Sequence, residues 1–310
     1  MLGALIMDKP AGFTSHDVVA RARQLLHERR IGHTGTLDPF ATGVLVLLIG
    51  AATRLAQFLS GLEKEYEAII RLGFATDTGD VTGRALTSVS NSTAAFDSQQ
   101  IESALSSLRG EIDQVPPMYS AKKQQGRRLY EFARRGEEVE RAPVRVCVRE
   151  LETIEQKDHL LKDNRDGTFD LKVRVVCSAG TYVRTLAQDF GKQMGVGAHL
   201  AELRRTRIGH LHLARGLTLE SVQETVAEEA LGQILVLPDE VVSHLQKMNL
   251  DHEQVKKVRY GVPVAANQSR WSDGEHIRMR DDKGNLVAVG RYQAAHDMVH
   301  PAVVMPQTES

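Results

Sequence analysis

Only two cysteines occur in this chain, Cys147 and Cys177, and they lie far apart with no C-x-x-C spacing. That speaks against a disulfide-stapled secreted scaffold and leads to the expectation of a cytoplasmic protein with reduced thiols. The 12 histidines are scattered, without H-E-x-x-H or Cys/His ligand spacing, so no metal site is expected. No apolar run approaches the roughly 18–20 residues of a membrane-spanning helix, so no membrane partner is expected. The opening Met1–Met7 lacks a basic segment and a cleavage-like site, and reads as a first strand rather than a signal peptide. There are no internal repeats. A positive excess is lacking too: the net charge of −1 does not by itself advertise a nucleic-acid partner. What remains is an ordinary globular composition, 42% hydrophobic and 25% charged, long enough at 310 residues for one or two domains.

The most informative stretch runs from Gly32 to Leu45, Gly-His-Thr-Gly-Thr-Leu-Asp-Pro-Phe-Ala-Thr-Gly-Val-Leu. One carboxylate, Asp38, sits among small turn-forming residues ahead of the apolar run Val44–Ile49, which reads as a buried strand. Two readings stand on these residues alone. Asp38 is the acceptor of an Asx-type turn, or the loop delivers a reactive acid to the edge of a packed core.

Thr14 or Ser15 can cap a helix with Val18, Val19, Ala22, Leu25 and Leu26 on one face, and Arg29 and Arg30 suit its C-terminal end. From Tyr66, the alternation of Ala68, Ile70, Leu72 and Phe74 marks a strand with Tyr66 on its apolar face. Asp77 and Asp80, in a polar loop, read as turn formers. Residues 87–95 are small and polar and read as a mobile loop. Asp97 and Gln100 form a capping box for a helix bearing Ile101, Ala104, Leu105 and Leu108. Phe169–Cys177 alternates as a strand, and Thr181 then caps a helix over Val183–Met194 that Gly195 stops. Between Tyr119 and Arg135, six cations (Lys122, Lys123, Arg127, Arg128, Arg134, Arg135) stand against one acid, Glu131, with Tyr119, Tyr130 and Phe132 interleaved. Such a patch suits phosphates and stacked bases; its plainer alternative is a solvated helix face.

Five segments, in order, resemble the motifs of the TruB family of tRNA pseudouridine synthases. They are Lys9-Pro10-Ala11-Gly12-Phe13-Thr14-Ser15, the Gly32–Leu45 stretch, Lys64-Glu65-Tyr66, Gly180-Thr181-Tyr182-Val183-Arg184 and Gly197–Thr206. The resemblance covers most of residues 1 to about 215. It implies an α+β fold with a mixed, mostly antiparallel sheet, flanking helices and a central basic cleft. It implies isomerisation of uridine to pseudouridine in the T loop of tRNA, at position 55. That reaction breaks the C1′–N1 bond, turns the base and rejoins it through C5. It is redox-neutral and gains no group, so no cofactor is required.

By the same resemblance Asp38 is the catalytic carboxylate, which either attacks C1′ or removes the C2′ proton. Arg184 pairs with it; the plainer alternative for Arg184 is a surface ion pair. Tyr66 stacks on the base and its hydroxyl can take the C5 proton. Tyr182 and Leu203 form further pocket walls, although each alone would more often be core. His33 fills the space that the flipped base leaves. Arg127 and Arg128 contact RNA, and Lys9 and Pro10 support the catalytic loop. The partner is the tRNA T stem-loop; no protein partner is evident, and a monomer is expected.

The texture changes near residue 249: a short helix from Asp251 to Tyr260 ending at Gly261, then short strands with a turn at Asp281–Asn285. This divides the chain into a catalytic domain, 1–248, and a small β-rich domain, 249–310, whose position resembles that of a PUA domain. Its eight Lys/Arg and eight Asp/Glu do not by charge demand RNA. Two other functions fit parts of this sequence. An RNA-binding tRNA-folding chaperone without required chemistry would tolerate loss of Asp38. A glycosidase or nucleosidase would want a second carboxylate as general acid, and the matched motifs offer no companion acid in that role.

Overall fold

The strong alternations of the sequence become the central strands of a computed structural model. It describes residues 1–86, 96–120, 122–124, 126–133, 135–137, 139–154, 160–267 and 271–307. The expected loop at 87–95 lies outside the described residues.

The chain begins with β1 (Gly3–Lys9), α1 (Ser15–Leu26), β2 (Thr42–Ile49) and β3 (Lys64–Leu72). There follow α2 (Ser98–Ser106), β4 (Gly110–Gln114), β5 (Val144–Thr153), β6 (Phe169–Cys177), α3 (Val183–Gln193) and β7 (Ala198–Ile208). These strands lie in a ten-stranded sheet in the order β1-β2-β7-β3-β6-β5-β4. Along this path the pairs are antiparallel, except at one seam. There β7 runs parallel to β2 through just two pairs, Arg204↔Thr42 and Arg205↔Gly43. Gly43 permits the approach. At its φ of +97° an added Cβ would stand 2.2 Å from the Arg205 carbonyl oxygen.

Burial follows the period-2 pattern. Along β3, Lys64, Tyr66, Ala68, Ile70 and Leu72 point inward and the alternate residues outward. The inward face packs with Leu171, Val173, Leu186 and Phe190 in one apolar cluster. A second cluster lies between α1 and the Leu5, Met7, Leu45 and Leu47 faces of β1 and β2.

Three local expectations change. α1 ends at Leu26, with His27 left-handed, so Arg29 and Arg30 lie beyond it and Arg23 is the cation of its last turn. Asp97 caps α2 through the Gln99 amide, without the reciprocal bond from Gln100. Thr181 does not cap α3. Tyr182 occupies that position, and the buried Gln114 on β4 grips its peptide from both sides, at 3.0 and 3.3 Å.

The second sheet contains β8 (Gln246–Asn249), β9 (Val264–Ala265), β10 (His276–Arg280), β11 (Leu286–Gln293) and β12 (Met298–Val304), ordered β8-β10-β11-β12-β9. α4 (His252–Arg259) begins at an Asp251 capping box. β8 starts at Gln246, so a division between 248 and 249 would cut through a strand of this sheet. Nor is the sheet loosely tethered. Leu286, Val289, Val303 and Met305 share an apolar cluster with Ile6, Val44, Val46, Leu48 and Leu55. Asp239 holds Arg278 and Arg280 at 2.8 and 3.3 Å across the same junction.

Candidate active site

Asp38 sits on a loop with anchors at nearly every residue. Ser15, at the start of α1, bonds both the amide and the carbonyl of Leu37, at 2.9 and 3.2 Å. The buried Lys9 ammonium donates to the carbonyls of Pro10, Phe13 and Pro39. The buried Arg205 guanidinium donates to those of Val44, Gly35 and Thr36. The Asp38 carbonyl itself accepts from Ala41 at 3.1 Å. A loop carrying this many bonds spends little freedom when it presents its acid.

Arg184, in the first turn of α3, meets that acid. Its Nε is 2.9 Å from Asp38 Oδ2 and its Nη2 3.2 Å from Oδ1. The guanidinium also donates to the carbonyls of Thr78 and Tyr119, at 3.1 and 2.7 Å, and lies 3.5 Å from Asp80. Its side chain is 5% exposed, against 32% for Asp38. Crowding protein atoms push the Asp38 carboxyl above the usual carboxylate range, and Arg184 opposes this.

Two cavities meet at this pair. An outer cleft of about 810 Å³ is lined by Thr14, His16, His33, Tyr119 and Tyr130, among others. An inner pocket of about 260 Å³ is lined by Lys64, Tyr66, Tyr182, Leu203 and Arg205. Asp38 and Arg184 line both. Among the described residues, no group of three His, Cys, Asp or Glu side chains could hold a metal ion.

A family model described as "TruB family pseudouridylate synthase (N terminal domain)" matches residues 23–183. A second, "tRNA pseudouridylate synthase B C-terminal domain", matches residues 184–243. The chain belongs to the TruB family. It is 46% identical over 289 residues to "tRNA pseudouridine synthase B" of Aromatoleum aromaticum, covering 91% of this chain and 89% of that one. It is 41% identical over 310 residues to the protein of that name from Bacillus thuringiensis, covering 99% and 96%. Among solved structures, the "archaeal box H/ACA sRNP Nop10-Cbf5 complex" aligns with a TM-score of 0.72 at 26% identity, over 98% of this chain and 86% of that one.

Against the residues of the TruB motifs, the structure brings Asp38, Tyr66, Arg184, Tyr182 and Leu203 together around the inner pocket. Tyr66 is buried, and burial pushes its hydroxyl above the ordinary tyrosine range while Arg205 opposes the shift. His33 lies apart, on the outer cleft, with its ring edge-on to His16 at 5.3 Å. Arg127 is exposed on a short hairpin, Lys123–Gln124 with Arg127–Arg128. The side chains of Arg128, Lys123 and Arg134 lie outside the described residues. Phe132 is buried, so it is not available for stacking on RNA.

Two residues of the site escaped sequence reasoning. Arg205 fell inside a matched segment without a role. Asp80, read as a turn former, is buried; it accepts from Thr78 and Thr82 and also faces Arg184. The threonines two residues to either side were the available signal. A second carboxylate therefore does stand near Asp38. Its three hydrogen bonds and its contact with Arg184 make it a partner that holds that arginine in place.

Proposed function

We propose that this chain isomerises a uridine in the T loop of tRNA, at position 55, to pseudouridine. The observation that carries this reading is the placement of one carboxylate, clamped by an arginine, between an open cleft and a pocket of single-base size. RNA lies in the outer cleft. The target uridine swings out of its stack, and its base enters the inner pocket between Tyr66, Tyr182 and Leu203. His33, on the cleft side, takes the place the base leaves.

Asp38 then faces the ribose. Attack at C1′ and removal of the C2′ proton both require the carboxylate ionised, and Arg184 favours that state. The C1′–N1 bond breaks, the base turns, and C5 bonds to C1′. The C5 proton leaves and N1 gains one. Tyr66 lines the pocket and carries a hydroxyl. Because its acidity is lowered by burial, it acts by accepting a proton while passing on its own, rather than as a standing phenolate.

Arg127 and Arg128 supply phosphate contacts. Residues 249–310 act as a PUA-like grip on tRNA away from the reacting uridine. The protein works as a monomer and, with both thiols free, in the cytoplasm. The test is tritium release from a T stem-loop labelled at C5 of its target uridine. Release by the parent and none by Asp38→Asn, at similar RNA affinity, supports the reading. A parent that binds the RNA and releases nothing overturns it.

A further inference from the structure

Arg184 cannot greet the RNA backbone, because two carboxylates and two carbonyls already occupy its guanidinium. The outer cleft is nonetheless rich in acid: Asp38, Asp77 and Asp80 all line it. A polyanion brought to Asp38 needs a free cation there.

The loop over residues 76–86 supplies one. It is tightly built. The Arg84 amide donates to Asp77 Oδ1 at 2.8 Å, and the Arg84 carbonyl accepts from the Asp77 amide at 3.1 Å. Thr76 and Ala85 form a β-bridge, and the Leu86 amide reaches the Ala75 carbonyl. Gly83 has no room for a side chain: an added Cβ would lie 2.3 Å from Thr78 Oγ1. The loop also carries Thr78 and Asp80, the partners of Arg184, so its position is tied to that of Asp38.

Arg84 projects from this frame into the outer cleft and is exposed. Among the described residues, no carboxylate lies within ion-pair distance of it, and residues 87–95 that follow contain no acid. Its neighbours fix its backbone and leave its guanidinium unspent.

Building on the synthase reading above, we propose that Arg84 binds a backbone phosphate of the RNA beside the everted uridine. A guanidinium suits this role because its planar fork bonds two phosphate oxygens at once. It offsets the repulsion of the acids around it and holds the RNA strand in the outer cleft.

The test uses the full chain and a T stem-loop, with the dissociation constant measured against salt and turnover measured separately. Arg84→Ala should flatten the log–log salt slope by about 0.7–0.9, the share of one phosphate. KM should rise by about tenfold, as for one lost charge-assisted bond, with kcat within twofold. Arg84→Lys should keep the slope and bind several-fold more weakly. Unfolding temperatures should match the parent, because the replaced side chain is exposed.

An active parent whose Arg84→Ala form keeps slope and KM overturns the assignment. So does a loss confined to kcat. If the parent binds but makes no pseudouridine, while Arg84→Ala still flattens the slope, the synthase reading falls and the phosphate contact stands. A parent that does not bind this RNA overturns both.

Discussion

Replacing Arg184 by lysine separates charge from geometry at the centre of the site. The arginine makes two contacts with Asp38, at 2.9 and 3.2 Å, and two with carbonyls. A lysine keeps the positive charge but offers a point donor that cannot span both carboxylate oxygens. Losing one charge-assisted bond costs about 1.5–3 kcal/mol. Spent on orientation of the carboxylate, that is roughly a 10- to 100-fold fall in kcat. Arg184→Met removes the charge as well, leaving Asp38 and Asp80 without their shared cation, and a broken buried pair typically costs about 3–5 kcal/mol of stability. Asp38 also titrates differently. Its carboxyl already sits above the usual range because of burial, and Arg184 is the strongest influence holding it down. As pH falls through that raised value the reactive form is lost. The acid limb of the parent's pH–rate profile should therefore lie above the ordinary carboxylate range, and move higher in Arg184→Lys. Single-turnover tritium release across pH, with thermal unfolding alongside, reads all three effects. A lysine variant within twofold of the parent, with an unmoved acid limb, would refute the reasoning.

Asp38→Asn should abolish turnover with RNA affinity within a few-fold; measurable product within tenfold of the parent would remove Asp38 from the chemistry. Tyr66→Phe keeps the stacking ring and should lower turnover by about 10²–10⁴-fold if the hydroxyl moves a proton; unchanged turnover leaves it only a wall. Burial lowers the ammonium groups of Lys9 and Lys64 from 10.5 to about 8. The unfolded chain then binds more protons between about pH 8 and 10.5, so these groups make stability rise with pH in that window. Lys64→Met should show a shallower rise in unfolding temperature, and an equal slope counts against it. Truncation after Leu245 strips Leu286, Val289, Val303 and Met305 from a shared core. At about 1.5–3 kcal/mol per buried side chain, that rivals the whole stability of a domain. The shortened chain should bind a hydrophobic dye and aggregate, whereas a soluble, cooperatively unfolding product would restore the picture of two separable units.

The sequence was most legible where periodicity was long. β3 and β6 lie where their alternations run, and α1 begins at Ser15, capped by Thr14, with the expected buried face. Ends were less legible because tertiary bonds decide them. Thr181 is an acceptable cap by type, yet Gln114, distant in sequence, grips the first peptide of α3 instead. The pairing of Asp38 with Arg184 was readable from motifs; the third member, Asp80, was not. A buried aspartate and a turn aspartate look alike until a loop folds against its arginine. The junction of the two sheets was invisible for a related reason. Val289 and Val303 alternate like any strand residues, and nothing in that pattern says which surface they cover.

The parallel seam between β2 and β7 has a bearing on synthesis. Asp38 leaves the ribosome early, but Arg205, which fastens Gly35, Thr36 and Val44, comes 167 residues later in chain order. Contacts across such separations form late, after the entropy of the intervening loop has been overcome. A nascent chain that ends before β7 therefore carries the acid but not the frame that aims it. Competence arrives abruptly, when one strand slides between two others and closes the sheet over its own reactive loop.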